Sequence, residues 1–124
     1  MRKIADVRNT ESGYARCIMY AGNDGGVYVF PCLSHEDGSA NGDDWFLSVE
    51  DAESACQESF GILPGDWIIV DDPLPDCLHD WLAPVRIKGR DQGTPKWGQF
   101  ERLEGDKWVD FVPKQFSPEV ARDR

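Results

Sequence analysis

Two short spacings in this chain carry the residue types that bind metals: Cys32-x-x-His35 and Cys77-x-His79. Together they offer two thiolates and two imidazoles, the ligand count of a structural zinc site. The first spacing suits such a site. The second is tight, neither pair is a zinc knuckle, and two separate loops would have to meet. The expectation is therefore no metal and no cofactor, with Cys32 at a strand end and both histidines in loops. Asp71, Asp72, Asp76 and Asp80 crowd one segment, but the D-x-D-x-D-G order of a calcium loop is missing.

Catalysis finds an equally thin inventory. A nucleophile needs a base beside it and an acid to orient that base. His79 and Asp80 are sequence neighbours, and neighbours in an extended segment point apart. The acidic pairs Glu36-Asp37 and Asp43-Asp44 have the look of solvated loop charge. No GxGxxG, phosphate loop or GxSxG motif occurs. A small hydrolase or metal-dependent enzyme using loop carboxylates and His79 stands as the alternative reading, and the sequence leaves the question of catalysis open.

Charge is the sharper signal. The 124 residues carry 13 Lys/Arg against 23 Asp/Glu, a formal net charge of -10. From Cys17 to Val85 there are fourteen acids and not one Lys or Arg; then Arg86, Lys88 and Arg90 arrive on alternate positions. From residue 84 onward nine bases meet seven acids, so the rest of the chain holds four bases and sixteen acids. Arg86, Lys88, Arg90, Lys96 and Arg102 with Trp97 and Phe100 could track a nucleic acid, but interleaved acids and the overall charge oppose a polyanion. The expected partner is instead a basic protein. The expected binding residues are Glu36, Asp37, Asp43, Asp44, Trp45, Asp76, Asp80 and Trp81: acids to steer the encounter, aromatics to anchor it. An acidic balance also serves solubility with no partner at all. The sequence is silent on oligomeric state.

The elements that must position these residues follow from pattern. YARCIMYA (14–21) and VYVFPC (27–32) flank GNDGG and read as a hairpin, with Pro31 at a strand end or edge. The opening residues, with Ile4 and Val7, suggest a further strand. SHEDGSANGDD (34–44) is a polar loop. Ser48 can cap a helix in which Val49, Ala52, Cys56 and Phe60 share one face and Gly61 ends it. WIIV (67–70) predicts a buried strand, and DDPLPDCLHDW (71–81) a loop. APVRIKGR alternates, placing Val85 and Ile87 opposite Arg86 and Lys88; WGQFERLEGDKWVDFV predicts a second hairpin turning at Glu104–Asp106. The Arg86–Lys88–Arg90 row is expected to meet the acids of the loop just upstream. The fold class expected is α+β: an antiparallel or mixed sheet of five or six strands with one main helix packed on a face. One domain spans 1–124, with a tail from about 113 that should fray.

The run DPLPDCLHDWLAPVRIKGR, continuing to GTPKWGQFERLEGDKW, resembles a family of small uncharacterised bacterial proteins of unknown function. The resemblance covers roughly the C-terminal half, with WF and the following helix as a looser extension. It brings no activity and no catalytic residues, and it implies a free-standing bacterial cytoplasmic protein. In composition, small acidic α+β chains with aromatic-flanked acidic loops are similar to immunity proteins that neutralise basic toxins. No apolar run approaches a membrane span, and MRKIADVRNT lacks the apolar core of a secretory signal, so the expected setting is the cytoplasm, with four reduced thiols.

Overall fold

The structure, a computed structural model, describes residues 1–112. The tail expected to fray lies outside the described residues. The chain divides into two compact units: residues 1–36 with 40–72, and residues 37–39 with the segment from Pro73 onward.

In the first unit five strands form one antiparallel sheet: β1 (Arg2–Asp6), β2 (Arg16–Ala21), β3 (Val27–Cys32), β4 (Asp44–Phe46) and β5 (Ile68–Val70), in the order β4-β3-β2-β1-β5. The helix α1 (Val49–Phe60) runs between β4 and β5 in the chain. The GNDGG hairpin is present, pairing Arg16 with Cys32 through Ala21 with Val27. Pro31 is tolerated because β4 pairs only with Val27–Val29, so no strand needs its missing N–H on the outer side.

α1 forms where its signals place it. Ser48 Oγ accepts from the Asp51 N–H at 3.0 Å, a cap worth about 1 kcal/mol, and Glu50 and Asp51 sit in the first turn where the helix dipole favours acids. Gly61 closes the helix at φ 70°, a left-handed conformation that suits glycine, and donates to Gln57 O at 3.0 Å. Ala52, Cys56 and Phe60 are buried on one stripe, packed with Ala5, Cys17, Met19, Val27, Val29 and Ile62; Val49 is partly buried beside them. By strand parity Ala5, Cys17, Met19, Val27 and Val29 share the helix-facing side, while Ile4, Ile18, Tyr20, Tyr28 and Phe30 share the other. The sheet with its one main helix makes this an α+β fold.

Two features depart from the sequence expectation. WIIV does hold a strand, but β5 is the edge of the sheet, and Ile68 and Ile69 are 64% and 74% exposed. A short apolar run cannot by itself distinguish a central strand from an edge. The inner place went to β1, flanked on both sides, whose residues include two cations. Arg2 and Lys3 are buried all the same: Arg2 Nε donates to the Asp71 carbonyl at 2.8 Å, and Lys3 pairs with Glu53 of α1 while its ammonium lies 5.4 Å from the Trp67 ring centroid. The second departure is β4, a three-residue strand where a loop and helix entry were expected.

The second unit has a three-stranded antiparallel sheet: β6 (Val85–Ile87), β7 (Phe100–Glu104) and β8 (Lys107–Phe111), in the order β6-β7-β8. Val85 and Ile87 are buried together with Cys77 and Trp81, and Trp81 meets Phe111 edge-on at 5.5 Å. The hairpin turns where expected, with Glu104 opposite Lys107.

Cys56 lies at the centre of the helix stripe and is 1% exposed. Cys56→Asp would bury a carboxylate in the apolar core, so it should lower stability by several kcal/mol or hold the acid protonated. Chemical denaturation as a function of pH checks this, with the variant recovering stability as pH falls.

Candidate functional site

The acids expected to face a partner fall into the two units. Glu36, Asp43, Asp44 and Trp45 belong to the first, Asp37, Asp76, Asp80 and Trp81 to the second. In the first unit Asp43 and Asp44 lead directly into Trp45 on the edge strand β4, and Asp43, Asp44 and Glu36 are all exposed. Trp45 is 53% exposed, opposite Tyr28 in register, and its indole lies over Gly26, where any Cβ would collide with Nε1. The glycine therefore makes a seat for the ring: a large aromatic surface is fixed in place while half of it faces solvent. Leu47, two residues on, is exposed as well.

The second unit uses its aromatic and one of its acids internally. Trp81 is buried, and its Nε1 donates to Ser39 Oγ at 3.2 Å. Asp37 accepts from the backbone N–H groups of Leu82 and Ala83, one on each carboxylate oxygen, both at 2.7 Å. Charge-assisted bonds of this kind fix the chain that leads into β6. Asp37 and Trp81 thus hold the loop together rather than lying open to a partner. Asp76 is exposed and takes a positive φ of 66°; His79 is exposed and Asp80 half-buried.

Bases are placed in the opposite manner to acids. The first unit contains four Lys/Arg against thirteen Asp/Glu. Arg2, Lys3 and Arg16 are buried. Arg16 stands opposite Asp6 in register, yet Asp6 turns to His35 at 3.5 Å, and among the described residues Nε and Nη2 of Arg16 have no hydrogen-bond partner. Arg8 alone is exposed, and it makes two bonds of 2.7 Å to the Asp66 carboxylate. That arrangement, with the Leu63 N–H also bonded to Asp66, holds the Asp66 carboxyl down at about 2 and raises the Arg8 guanidinium. No exposed base of this unit is left unpaired.

The opening of the basic C-terminal part also finds its partners, though not the upstream loop acids that sequence suggested. Arg86 pairs with Glu101 at 2.8 Å and Asp91 at 3.5 Å, and its guanidinium stacks 3.8 Å from the Trp108 ring centroid. Lys88 pairs with Asp110 at 2.8 Å, which raises its pKa. Arg90 has left the strand for the 3-10 turn Arg90–Gln92. Glu101 is the register partner of both Arg86 and Asp110; the second pair sets two acids opposite each other, and Arg86 on Glu101 and Lys88 on Asp110 offset that repulsion. Sequence adjacency pointed to the wrong acids because strand pairing, not chain distance, decides who is opposite.

Among the described residues no group of three or more His, Cys, Asp or Glu side chains could hold a metal ion. Cys32 and His35 belong to the first unit and Cys77 and His79 to the second. Cys17 and Cys56 do meet, across the contact between β2 and α1; the hydrogen bond between their thiols, with burial, raises the Cys17 pKa far above the ordinary thiol range. The same bond lowers the pKa of Cys56, and both sulfurs are buried away from reagents. No described helix is long and apolar enough to cross a membrane. Comparison with protein-family models, with curated proteins and with solved structures finds no match to this chain.

Two outcomes are expected of these contacts. Asp37→Ala would orphan the N–H groups of Leu82 and Ala83, at about 1–3 kcal/mol for each donor left unsatisfied, and amide exchange at those two residues should quicken. For Asp66, the folded pKa lies below the unfolded value of about 3.9. Its contribution to stability is therefore full above pH ~4 and is lost as pH falls toward the folded value. Carboxyl NMR titration should give a midpoint of about 2 in the native protein, rising toward the ordinary carboxylate range in Arg8→Gln.

Proposed function

We propose that this chain is a non-enzymatic interaction protein, immunity-like or regulatory, whose first unit presents an acidic surface to a basic partner protein in the cytoplasm. One observation carries the reading: the first unit buries three of its four bases, pairs the fourth, and leaves Glu36, Asp43 and Asp44 exposed. Any approaching surface meets negative charge with no compensating Lys or Arg. A general demand for solubility accounts for exposed acids, but not for a half-exposed Trp seated rigidly beside them on a sheet edge. A cluster of acids speeds encounter with a basic surface and rejects acidic competitors, while a desolvated aromatic supplies affinity. Trp45 is the anchor and Glu36, Asp43 and Asp44 are the steering charges. Four cysteines outside disulfides are in keeping with the cytoplasm.

The two roles separate kinetically. Against a partner isolated from cell extract by affinity capture, Glu36→Gln/Asp43→Asn/Asp44→Asn should slow association about tenfold or more at low salt, the deficit fading as salt rises. Trp45→Ala should instead speed dissociation, costing about 2 kcal/mol or more. Surface plasmon resonance reads both; rates unchanged in both variants would remove the reading.

A further inference from the structure

At the opposite edge of the first sheet from Trp45, β5 is a free strand edge of a kind that folded chains ordinarily protect. Its three residues are all apolar and β-branched, Ile68, Ile69 and Val70, and the first two are among the most exposed large hydrophobics of the described residues. Edge strands are usually blunted by a lysine, a proline or a bulge. β5 is only three residues long, which itself limits an edge, but it has no lysine, proline or bulge: it pairs in unbroken register with β1, Arg2 opposite Val70 through Ile4 opposite Ile68, and among the described residues no strand lies on its other side. Because side chains alternate, Ile68 and Ile69 expose apolar surface on both faces of the edge. Among the described residues no strand takes up the backbone groups of its outer side.

From this geometry we infer that β5 accepts an extended, cationic segment of the basic partner, which adds to the sheet as a sixth strand. This rests on the reading that the partner is basic, and it adds a second point of contact four strand spacings, about 19 Å, from β4. Main-chain hydrogen bonds supply affinity in such strand addition, and alternate side chains supply specificity. The matching segment has a short apolar centre to cover Ile68 and Ile69, and Lys or Arg beyond it to meet Asp71 and Asp72, both exposed. Asp72 already lies 3.1 Å from the N-terminal amine, which partly neutralises it; Asp71 is exposed and is the stronger steering charge.

A second copy of this chain fits less well. Antiparallel pairing of two β5 edges about Ile69 would set Asp66 of one chain opposite Asp72 of the other and Trp67 opposite Asp71, and it would bring together two units each with thirteen acids and four bases. Like charges directly opposed destabilise a strand pair.

The test uses the full chain and a synthetic eight-residue peptide of alternating lysine and valine, with a second peptide of the same sequence N-methylated on every backbone nitrogen. The methylated peptide keeps charge and apolar surface but cannot pair through its backbone. The unmodified peptide should slow amide exchange within Ile68–Val70 by about tenfold or more, the methylated one should not, and Ile69→Lys should abolish the protection. Shifts confined to Glu36 and Asp43–Leu47, equal for both peptides, would overturn the edge inference and leave the acidic-surface reading standing. No response in either region would count against both. Protection of Ile68–Val70 that grows with protein concentration and needs no peptide would assign the edge to a second copy and overturn the inference.

Discussion

The contact on which the first unit depends is that of a narrow helix stripe with small sheet residues. Ala52 and Cys56 face Ala5 and Cys17, all four essentially without solvent exposure. Small side chains on both partners let the helix backbone settle close to the sheet, and the larger Met19, Val29, Phe60 and Ile62 fill the surrounding space. Tyr14 closes one end, edge-on to Phe60 at 5.7 Å. Close approach also makes the helix ends matter. The carbonyl of Phe60, orphaned by the end of α1, accepts from the backbone of Arg8 and Asn9 just past β1, so the helix terminus and the inner strand satisfy each other.

Charge placement follows from that packing. β1 lies inside the sheet, so the cations it carries have to be accommodated. Lys3 reaches the helix side, where Glu53 stands one turn from Cys56 and Trp67 offers a ring face. A pair this poorly hydrated stabilises little beyond an apolar pair of similar shape, but removing one member leaves an uncompensated charge at a cost of about 3–5 kcal/mol. The unit thus spends most of its bases on its own interior, and the acidity of its surface is partly a consequence of its topology rather than of acid content alone.

In the second unit the same ingredients are combined differently. Arg86 is gripped between Glu101 and the face of Trp108, and Arg102 lies 4.7 Å from the Phe111 ring, so cations here cover aromatic surface. A sheet of three strands needs a packed apolar face to be stable. Trp81, set on Phe111, and the loop pinned by Asp37 and Ser39 supply the further packing and hydrogen bonds it needs.

Much of the fold was legible in the chain. Helix α1 and its caps, both hairpins, and the inward face of Val85 and Ile87 follow from periods of 3.6 and 2 and from the glycines that end them, because these are local properties of a few adjacent residues. The candidate site was legible only as composition. That the surface is acidic could be read from fourteen acids without a base; which aromatic stands in solvent could not. Trp45 and Trp81 are both flanked by acids in sequence, and only the seat at Gly26 and the bond to Ser39 separate an exposed ring from a buried one. Asp37 looked like any loop acid until Leu82 and Ala83, more than forty residues away, supplied its partners. The exposure of WIIV escapes local pattern for the same reason: hydrophobicity marks a strand, but its place at centre or edge depends on which other strands pair with it. Local pattern determines the elements; long-range pairing decides which of their side chains meet water.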